Sequence, residues 1–196
     1  KEIIVVARDI TKQKETENLL LIQQQHLKKG LTQQELLAEI ALGVNSIINF
    51  DEIISGTINK LGNQLHVSRI YVFENSEDGE KTSLSYEWCD REIVSMKDNL
   101  QKIPLNSLTA LNKSLLEGEN IYFKNRSEFP GDATNCLVSE DANTLIIFPL
   151  FVKNKSYGFI WFEQNEVKQN WSKSEIELMR AVSGIISNVF ERKLME

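Results

Sequence analysis

Three stretches of the chain carry apolar residues every three or four positions, which is the period of an α-helix. The first follows Thr32 and Glu35, which have the spacing of a capping box, in which each side chain satisfies the other residue's free backbone N–H. The second follows a break at 49–51, and the third begins at another capping box, Ser172 and Glu175. The apolar positions of the three are Leu36, Ile40, Val44 and Ile47; Ile54, Ile58, Leu61 and Leu65; and Leu178, Val182, Ile185 and Val189. Each stripe predicts a helix with one face against a sheet.

Shorter stretches have the character of β-strands. Residues 69–74 are β-branched and aromatic, and residues 75–79 have turn composition. Beyond the turn, Leu84, Tyr86 and Trp88 alternate with polar residues. This alternation predicts an antiparallel hairpin whose second strand buries one face.

A central hairpin is predicted later in the chain. Residues 145–152 and 157–162 are apolar on both faces, and residues 153–156 form a turn between them. Burial of both faces requires cover on both sides of the sheet, so helices are expected to flank it.

The region between the two hairpins combines short elements with one long loop. Leu108, Leu111 and Leu115 indicate a short helix that Gly118 ends, and residues 121–123 indicate a strand. Residues 125–143 are polar and contain Pro130 and Gly131, so they predict a long loop with at most a helical turn. Long loops in compact domains are usually functional.

The two ends of the chain predict signalling helices. Residues 11–29 consist largely of Lys, Glu, Gln and Leu, which favour helix, and Gly30 is expected to end it. Leu20, Leu27 and Leu31 give the beginning of a coiled-coil pattern, which favours a parallel homodimer through the terminal helices. The last helix runs on without a stop signal, which suits transmission into a following domain.

Composition and charge exclude several classes of function. The chain has 196 residues, 22 Lys+Arg against 28 Asp+Glu, and a formal net charge of -6. An acidic surface repels phosphates, so neither nucleic acid nor a membrane surface is expected as a partner. Cys89 and Cys136 form no disulfide framework and no CxxC motif, which is typical of a reducing, cytoplasmic compartment. The start at Lys1 suggests a piece of a longer protein.

Five motifs together resemble the GAF domains of bacterial sensor histidine kinases. They are VSRIYVFEN at 67–75, YEW at 86–88, FP at 129–130, a PL-x-V to GFI hairpin at 149–160, and WSKSE at 171–175. The resemblance implies an α+β fold, in which helices flank a central antiparallel sheet like that of GAF and PAS domains, with long terminal helices.

A second resemblance concerns the N-terminus. Residues 5–11, VVARDIT, are similar to the closing strand of a PAS domain and the start of its exit helix. We therefore expect a PAS remnant at 1–11, a helical linker at 12–31, a GAF domain at 32–192 and an exit linker from 193–196.

These resemblances imply a non-catalytic sensory module that binds a small ligand, or relays the state of the PAS domain, to a C-terminal histidine kinase. Diguanylate cyclases share this architecture and remain an alternative. No catalytic residue, metal or cofactor is expected. An apolar ligand pocket under the long loop is the candidate site, although aromatic residues on strands more often form plain core. Its candidate lining residues are Tyr86, Trp88, Cys89, Phe129, Phe148 and Trp161.

Two alternatives involve the cysteines. Cys89 and Cys136 could serve thiol chemistry, as in the GAF-fold methionine sulfoxide reductases, or could anchor a bilin. Bilin anchors usually have the sequence Cys-His, whereas Asp90 and Leu137 follow here. Structural thiols are therefore the preferred interpretation.

Cyclic nucleotide binding and phosphoryl acceptance are disfavoured. The Lys and one of the carboxylates that cyclic-nucleotide GAF sites use are missing at 163–165 and 171–176. His26 lacks the residues that follow a phosphoacceptor histidine, and His66 is predicted to sit at a helix C-terminus.

Overall fold

The computed structural model describes residues 11–46, 49–131, 137–165 and 171–195, with the side chains of 26, 29, 39 and 42–46 left out. Residues 1–10 of the expected PAS remnant and Cys136 therefore lie outside the described residues. The same is true of the side chains of Val44, Ile47 and His26.

The described part of the chain contains four α-helices, two short 3-10 helices at Leu105–Ser107 and Arg126–Glu128, and one six-stranded antiparallel sheet. The sheet order is β3-β2-β1-β6-β5-β4. The elements are α1 Thr11–Ser46, α2 Phe50–Leu65, β1 Arg69–Asn75, β2 Lys81–Cys89, β3 Ile103–Pro104, α3 Thr109–Leu116, β4 Ile121–Phe123, β5 Thr144–Val152, β6 Lys155–Gln164 and α4 Lys173–Lys193. The α+β class expected from the sequence is confirmed.

One continuous helix replaces the two that the sequence predicted before residue 49. The helix α1 passes through Gly30 without a break, and Thr32 is not a cap, because its hydroxyl donates to the Lys28 carbonyl at 3.0 Å. A helical glycine costs only about 0.5–1 kcal/mol relative to alanine, and the strong helix formers on both sides outweigh it. Leu36 and Ile40 are buried as predicted.

The second helix begins and ends at polar signals. The Asn49 side chain accepts hydrogen bonds from the backbone N–H groups of Asp51 and Glu52, which confirms the predicted break. The helix ends at His66, whose φ of 52° is left-handed. The predicted apolar stripe of α2 is buried at all four positions: Ile54, Ile58, Leu61 and Leu65.

The last helix has the predicted capping box. The Ser172 hydroxyl accepts from the Glu175 backbone N–H, and the Glu175 carboxylate accepts from the Ser172 backbone N–H. Leu178, Val182 and Val189 are buried, and Ile185 is half-buried. The helix thus lies with its apolar stripe against the sheet, as expected.

The sheet has two differently covered faces. One, called here the helix face, packs against α2, α4 and the last turns of α1; its sheet residues include Ile70, Val72, Ile160 and Phe162. The other, called the loop face, is covered by α3 and by the segments 93–108, 124–131 and 137–143; its sheet residues include Tyr71, Phe73, Ile147, Phe159 and Trp161. Both faces of the central hairpin are buried, as the sequence predicted.

A β-bulge in β2 corrects one prediction of the sequence. Val72 of β1 pairs with Tyr86, but Phe73 pairs with Leu84, so Ser85 is an extra residue in β2. An extra residue shifts the alternation by one position. Leu84 therefore lies on the loop face and Tyr86 on the helix face, rather than sharing one face.

The hairpin between β5 and β6 turns through two left-handed residues. Lys153 and Asn154 have φ of 48° and 62°, as a type I′ turn requires. Further along β6, Gly158 lies against the Phe73 carbonyl so closely that a Cβ atom would overlap it. The turn returns the chain antiparallel to β5, and Gly158 allows β6 to lie close beside β1 in the centre of the sheet.

Candidate functional site

Four polar side chains occupy neighbouring positions on the loop face. In the antiparallel pairing of β1 with β6, Arg69 is opposite Glu163 and Tyr71 is opposite Trp161. Residues two apart on a strand share a face, so the two pairs form a two-by-two group, called here the polar block. Tyr71, Trp161 and Glu163 are fully buried, and Arg69 is 6% exposed.

An ion pair holds one half of the polar block together. Arg69 Nη1 donates to Glu163 Oε1 at 2.8 Å, and the Ser139 hydroxyl donates to the same carboxylate oxygen. Arg69 Nη2 makes only a long 3.5 Å contact with the Val94 carbonyl. Burial alone lowers the pKa of Arg69, but Tyr71 and Glu163 together outweigh it and leave this pKa above its ordinary value. Arg69 is therefore a permanent buried cation.

Each member of the polar block retains a buried atom that has no hydrogen-bond partner among the described residues. These atoms are Arg69 Nε, Tyr71 Oη, Trp161 Nε1 and Glu163 Oε2. Buried polar atoms are almost always paired in folded proteins, so a concentration of orphans on adjacent side chains calls for an explanation. Burial, and next the Glu163 charge, raise the pKa of Tyr71, which keeps its hydroxyl protonated.

Cys89 and Glu87 border the polar block on β2. Cys89 is opposite Arg69, and Glu87 is opposite Tyr71. Burial and the nearby Glu87 raise the pKa of the Cys89 thiol to about 12. A thiol of this kind is a weak nucleophile at neutral pH, because little of it is thiolate.

The cover over the polar block is anchored from one side. Arg126 Nη1 donates to the carbonyls of Ser139 and Ala142, at 2.9 and 3.2 Å. Phe129 packs edge-on against Phe123 with ring centroids 5.5 Å apart. The segment that brings Ser139 to Glu163 is thereby tied to the start of the long loop.

The structure divides the six residues that the sequence proposed as pocket lining. Cys89, Phe129 and Trp161 belong to the loop face, with Trp161 inside the polar block. The other three belong to the helix face: Tyr86, Trp88 and Phe148. The six residues therefore do not surround one pocket.

The three helix-face residues have structural contacts. The Tyr86 hydroxyl donates to Asp51 Oδ1 at 2.5 Å. Trp88 packs flat on Gly62 of α2, where a Cβ atom would collide with the indole. Phe148 lies edge-on to Phe162, with ring centroids 6.0 Å apart. These contacts join α2 and the strands.

Sequence reasoning overlooked Arg69 and Glu163. A signal was available, because both are charged residues within otherwise apolar strands, RIYVF and GFIWFE. A charge at such a position is almost never buried unless it is paired. Among the described residues, no group of three His, Cys, Asp or Glu side chains could hold a metal ion. None of the described helices is long and apolar enough to cross a membrane.

The fold and the polar block define a class: an α+β domain with long helices on one face of an antiparallel sheet, and an enclosed polar group beneath α3 and loops on the other. A sequence profile of the GAF domain matches residues 32–192, which is most of the chain. The chain belongs to the GAF domain family.

A relative and two solved structures agree with this assignment. The methanogenesis regulatory histidine kinase FilI of Methanothrix harundinacea is 28% identical in an alignment of 193 residues that covers 95% of this chain. The chain spans only 21% of that relative's length.

The phycocyanobilin-bound GAF domain of a cyanobacterial phytochrome superposes with a TM-score of 0.68 at 13% identity, covering 82% of this chain and 94% of that one. The GAF domain of the Acinetobacter phosphoenolpyruvate-protein phosphotransferase gives 0.63 at 14% identity, covering 81% and 92%. At these identities the likeness concerns the fold alone.

Proposed function

We propose that this chain is a non-catalytic sensory module of a two-component signalling protein. Its GAF domain binds a small ligand, or receives the state of an upstream PAS domain, and signals through paired helices to a C-terminal histidine kinase. The observation that carries the proposal is the polar block, whose four unpartnered atoms are typical of a binding site rather than of a plain core. The histidine kinase relative supports the output.

Contacts on the helix face provide a route from the sheet to the exit helix. Phe190, near the end of α4, packs against Tyr86 of β2 and Tyr157 of β6, with ring centroids 6.2 and 4.7 Å apart. Lys193, one turn later, reaches the Tyr86 hydroxyl at 3.4 Å. Strand β6 contains two residues of the polar block, and β2 lies beside the other two. A shift of either strand therefore changes the surface against which the last turns of α4 pack.

The proposed mechanism couples ligand binding to the position of this helix. The segment 125–143 rearranges over the ligand, the central hairpin shifts, and α4 rotates or changes register against its dimer mate. A ligand drives such a change only by its different affinity for the two helix arrangements.

The exposed part of α1 supports a parallel homodimer. Leucines and one isoleucine of this segment are 50–75% exposed, and such a concentration of apolar side chains on a helix is usually covered by a partner. Leu20 and Leu27 are seven residues apart, as successive a positions of a coiled coil are. The apolar residues are Leu19, Leu20, Leu21, Ile22, Leu27 and Leu31.

Cross-linking tests the dimer in a chain whose own cysteines are changed to serine. Leu20→Cys is expected to form an intermolecular disulfide under mild oxidation, whereas Gln25→Cys, on the opposite side of the coiled-coil heptad, is expected to form little. A monomeric mass in solution together with no cross-link at either position would rule out the dimer.

Signalling is tested in the full-length parent protein. Phe190→Ala removes the side chain that both Tyr86 and Tyr157 contact, and is expected to uncouple kinase autophosphorylation from the input signal. Leu194→Ala, at an exposed residue four positions later, is the control. Equal signal responses in the two variants would contradict the route through α4. A diguanylate cyclase output, the alternative, would instead give no phosphorylated histidine but cyclic di-GMP.

Thiol catalysis finds no support at Cys89, because burial raises its pKa to about 12. The decisive comparison is between the parent chain and the variant with Cys89→Ser and Cys136→Ser. Turnover of an oxidised substrate by the parent that disappears in the double variant would establish the enzyme and replace the sensory proposal.

A further inference from the structure

We infer that the polar block takes a small, uncharged, planar ligand that presents an N–H donor beside a carbonyl acceptor, as the edge of a lactam ring does. The inference rests on the proposed sensory function and specifies the ligand class of the same site. It follows from three properties of the four side chains: their free donors and acceptors, their net charge, and the shape of their surroundings.

The unpartnered atoms define the hydrogen bonds that a ligand must make. Glu163 Oε2 can only accept from a ligand, whereas Arg69 Nε and Trp161 Nε1 can only donate to one. The Tyr71 hydroxyl can do either, and its raised pKa keeps the proton on it. A matching ligand therefore carries at least one N–H or O–H and at least one acceptor oxygen or nitrogen close by.

The charge of the polar block disfavours ionic ligands. Arg69 and Glu163 neutralise one another at 2.8 Å, and their side chains are only 7% and 0% exposed. A carboxylate, phosphate or ammonium group would bring a third charge into this buried region without a partner of its own, which is strongly unfavourable. A ligand with donor and acceptor but no net charge avoids this penalty.

The surroundings favour a flat ring. Tyr71 meets Phe73 edge-on with ring centroids 6.0 Å apart, and Phe73 stacks on Phe159 at 4.6 Å. Trp161 is on the same face. Aromatic side chains bind planar ligands by stacking and by edge-to-face contact. In the inferred complex, the lactam ring directs its polar edge to the unpartnered atoms and its faces to these aromatic side chains.

Access requires the cover to move, which links occupancy to the fold. Tyr71, Trp161 and Glu163 are fully buried, and the Ser139 hydroxyl already donates to Glu163 Oε1. A ligand N–H that donates to Glu163 Oε2 shares this carboxylate with Ser139, which donates to Oε1, so the ligand and Ser139 are held by the same side chain. The segment from Ser139 to Thr144, which leads directly into β5, is therefore the part of the cover that senses the ligand.

Calorimetric titration and thermal-shift measurements on the chain test the ligand class with matched probes. The supporting result is binding and stabilisation by at least one of 2-pyridone, uracil and hypoxanthine, all uncharged lactams. The controls are 1,3-dimethyluracil, which lacks the N–H donors, and orotate, which adds a carboxylate to the uracil ring. Both are expected to bind at least about tenfold more weakly than uracil if uracil is the ligand bound.

A pair of tyrosine variants locates the binding. Tyr71→Phe removes one unpartnered hydroxyl of the polar block and is expected to weaken lactam binding at least about fivefold. Tyr157→Phe removes a hydroxyl that donates to Glu74 at 2.7 Å and packs on the helix face, so it is expected to leave binding unchanged. Equal effects of the two variants would overturn the assignment to the polar block.

Other outcomes separate the ligand class from the sensory function. If no lactam binds at millimolar concentration, or if orotate binds as tightly as uracil, the ligand class is wrong, and the kinase and cross-linking experiments still decide the sensory function. If a lactam binds and Tyr71→Phe weakens it but autophosphorylation of the full-length protein does not respond, the ligand class stands and the sensory function is wrong.

Discussion

The two faces of the sheet differ in the polar side chains that they bury. On the helix face, two tyrosine hydroxyls have partners: Tyr86 donates to Asp51, and Tyr157 donates to Glu74. Gln164 Oε1 and Trp171 Nε1 on this face have none among the described residues, but they lie in separate segments, at the end of β6 and before α4. On the loop face, Arg69 and Glu163 lie inside the core, and each keeps an atom that has no partner among the described residues. What distinguishes the loop face is that its unpartnered atoms lie on four adjacent side chains that include an ion pair, whereas the helix face is mainly apolar packing in contact with α4.

The largest expected effect comes from breaking the ion pair of the loop face. Glu163→Leu leaves Arg69 as an uncompensated buried charge and is expected to lower the free energy of unfolding by about 3–5 kcal/mol. The double variant Arg69→Met with Glu163→Leu removes both charges and is expected to regain most of that loss. Urea denaturation measures both. A single variant as stable as the double one would show that the pair is not isolated from water.

A glycine of the helix face gives the next largest effect. Gly62→Ala places a methyl group against the Trp88 indole and is expected to destabilise the domain by about 1–3 kcal/mol. The matched control is Gly56→Ala on the same helix, where the added methyl group meets nothing within 4 Å apart from the adjoining residues and backbone of its own helix. That change is expected to stabilise by up to about 1 kcal/mol. If both variants behave alike in thermal denaturation, the packing of Trp88 on α2 is not tight.

Two tyrosines compare the faces directly. Tyr86→Phe loses a hydrogen bond to Asp51 and is expected to destabilise by about 1 kcal/mol. Tyr71→Phe removes a buried hydroxyl without a partner and is expected to be neutral or slightly stabilising. Chemical denaturation of the two variants side by side measures the difference. A larger loss of unfolding free energy for Tyr71→Phe than for Tyr86→Phe would mean that the Tyr71 hydroxyl has a hydrogen-bond partner in solution.

The smallest effect is expected at the exposed edge of the helix face. Lys193 Nζ lies 3.8 Å from Asp51 Oδ1, and the two side chains are 37% and 70% exposed. Lys193→Met is therefore expected to change the free energy of unfolding by no more than about 0.5 kcal/mol, and less at high salt. A larger loss that persists in high salt would assign the stabilisation to the contacts of the Lys193 ammonium with the Phe190 ring and the Tyr86 hydroxyl instead.

Periodicity in the sequence was sufficient for the elements that bury a single stripe. The stripes of α2 and α4 were predicted correctly because helical spacing alone determines which side chains share a face. At Gly30 the same reasoning failed, because one unfavourable residue was given more weight than the helix formers around it.

The candidate site was predicted less well because it depends on which strands pair and in which register. Leu84 and Tyr86 have the same parity in the sequence, but the extra residue Ser85 separates them onto opposite faces. Phe148 and Trp161 were grouped by their aromatic character, yet they lie on opposite faces of neighbouring strands. Which face each of these side chains occupies can be assigned only when the strand register is known.

Because α1 is continuous through Gly30, it fixes the distance between its N-terminus and the domain. At about 1.5 Å per residue, Thr11 is held about 33 Å from Gln33, the first residue of α1 described as buried. A displacement of the helix at Thr11 is therefore transmitted to the domain as a rotation or tilt of the whole helical segment. Because each residue turns an α-helix by about 100°, deleting one residue between 12 and 31 would reorient this segment more than replacing any side chain on it.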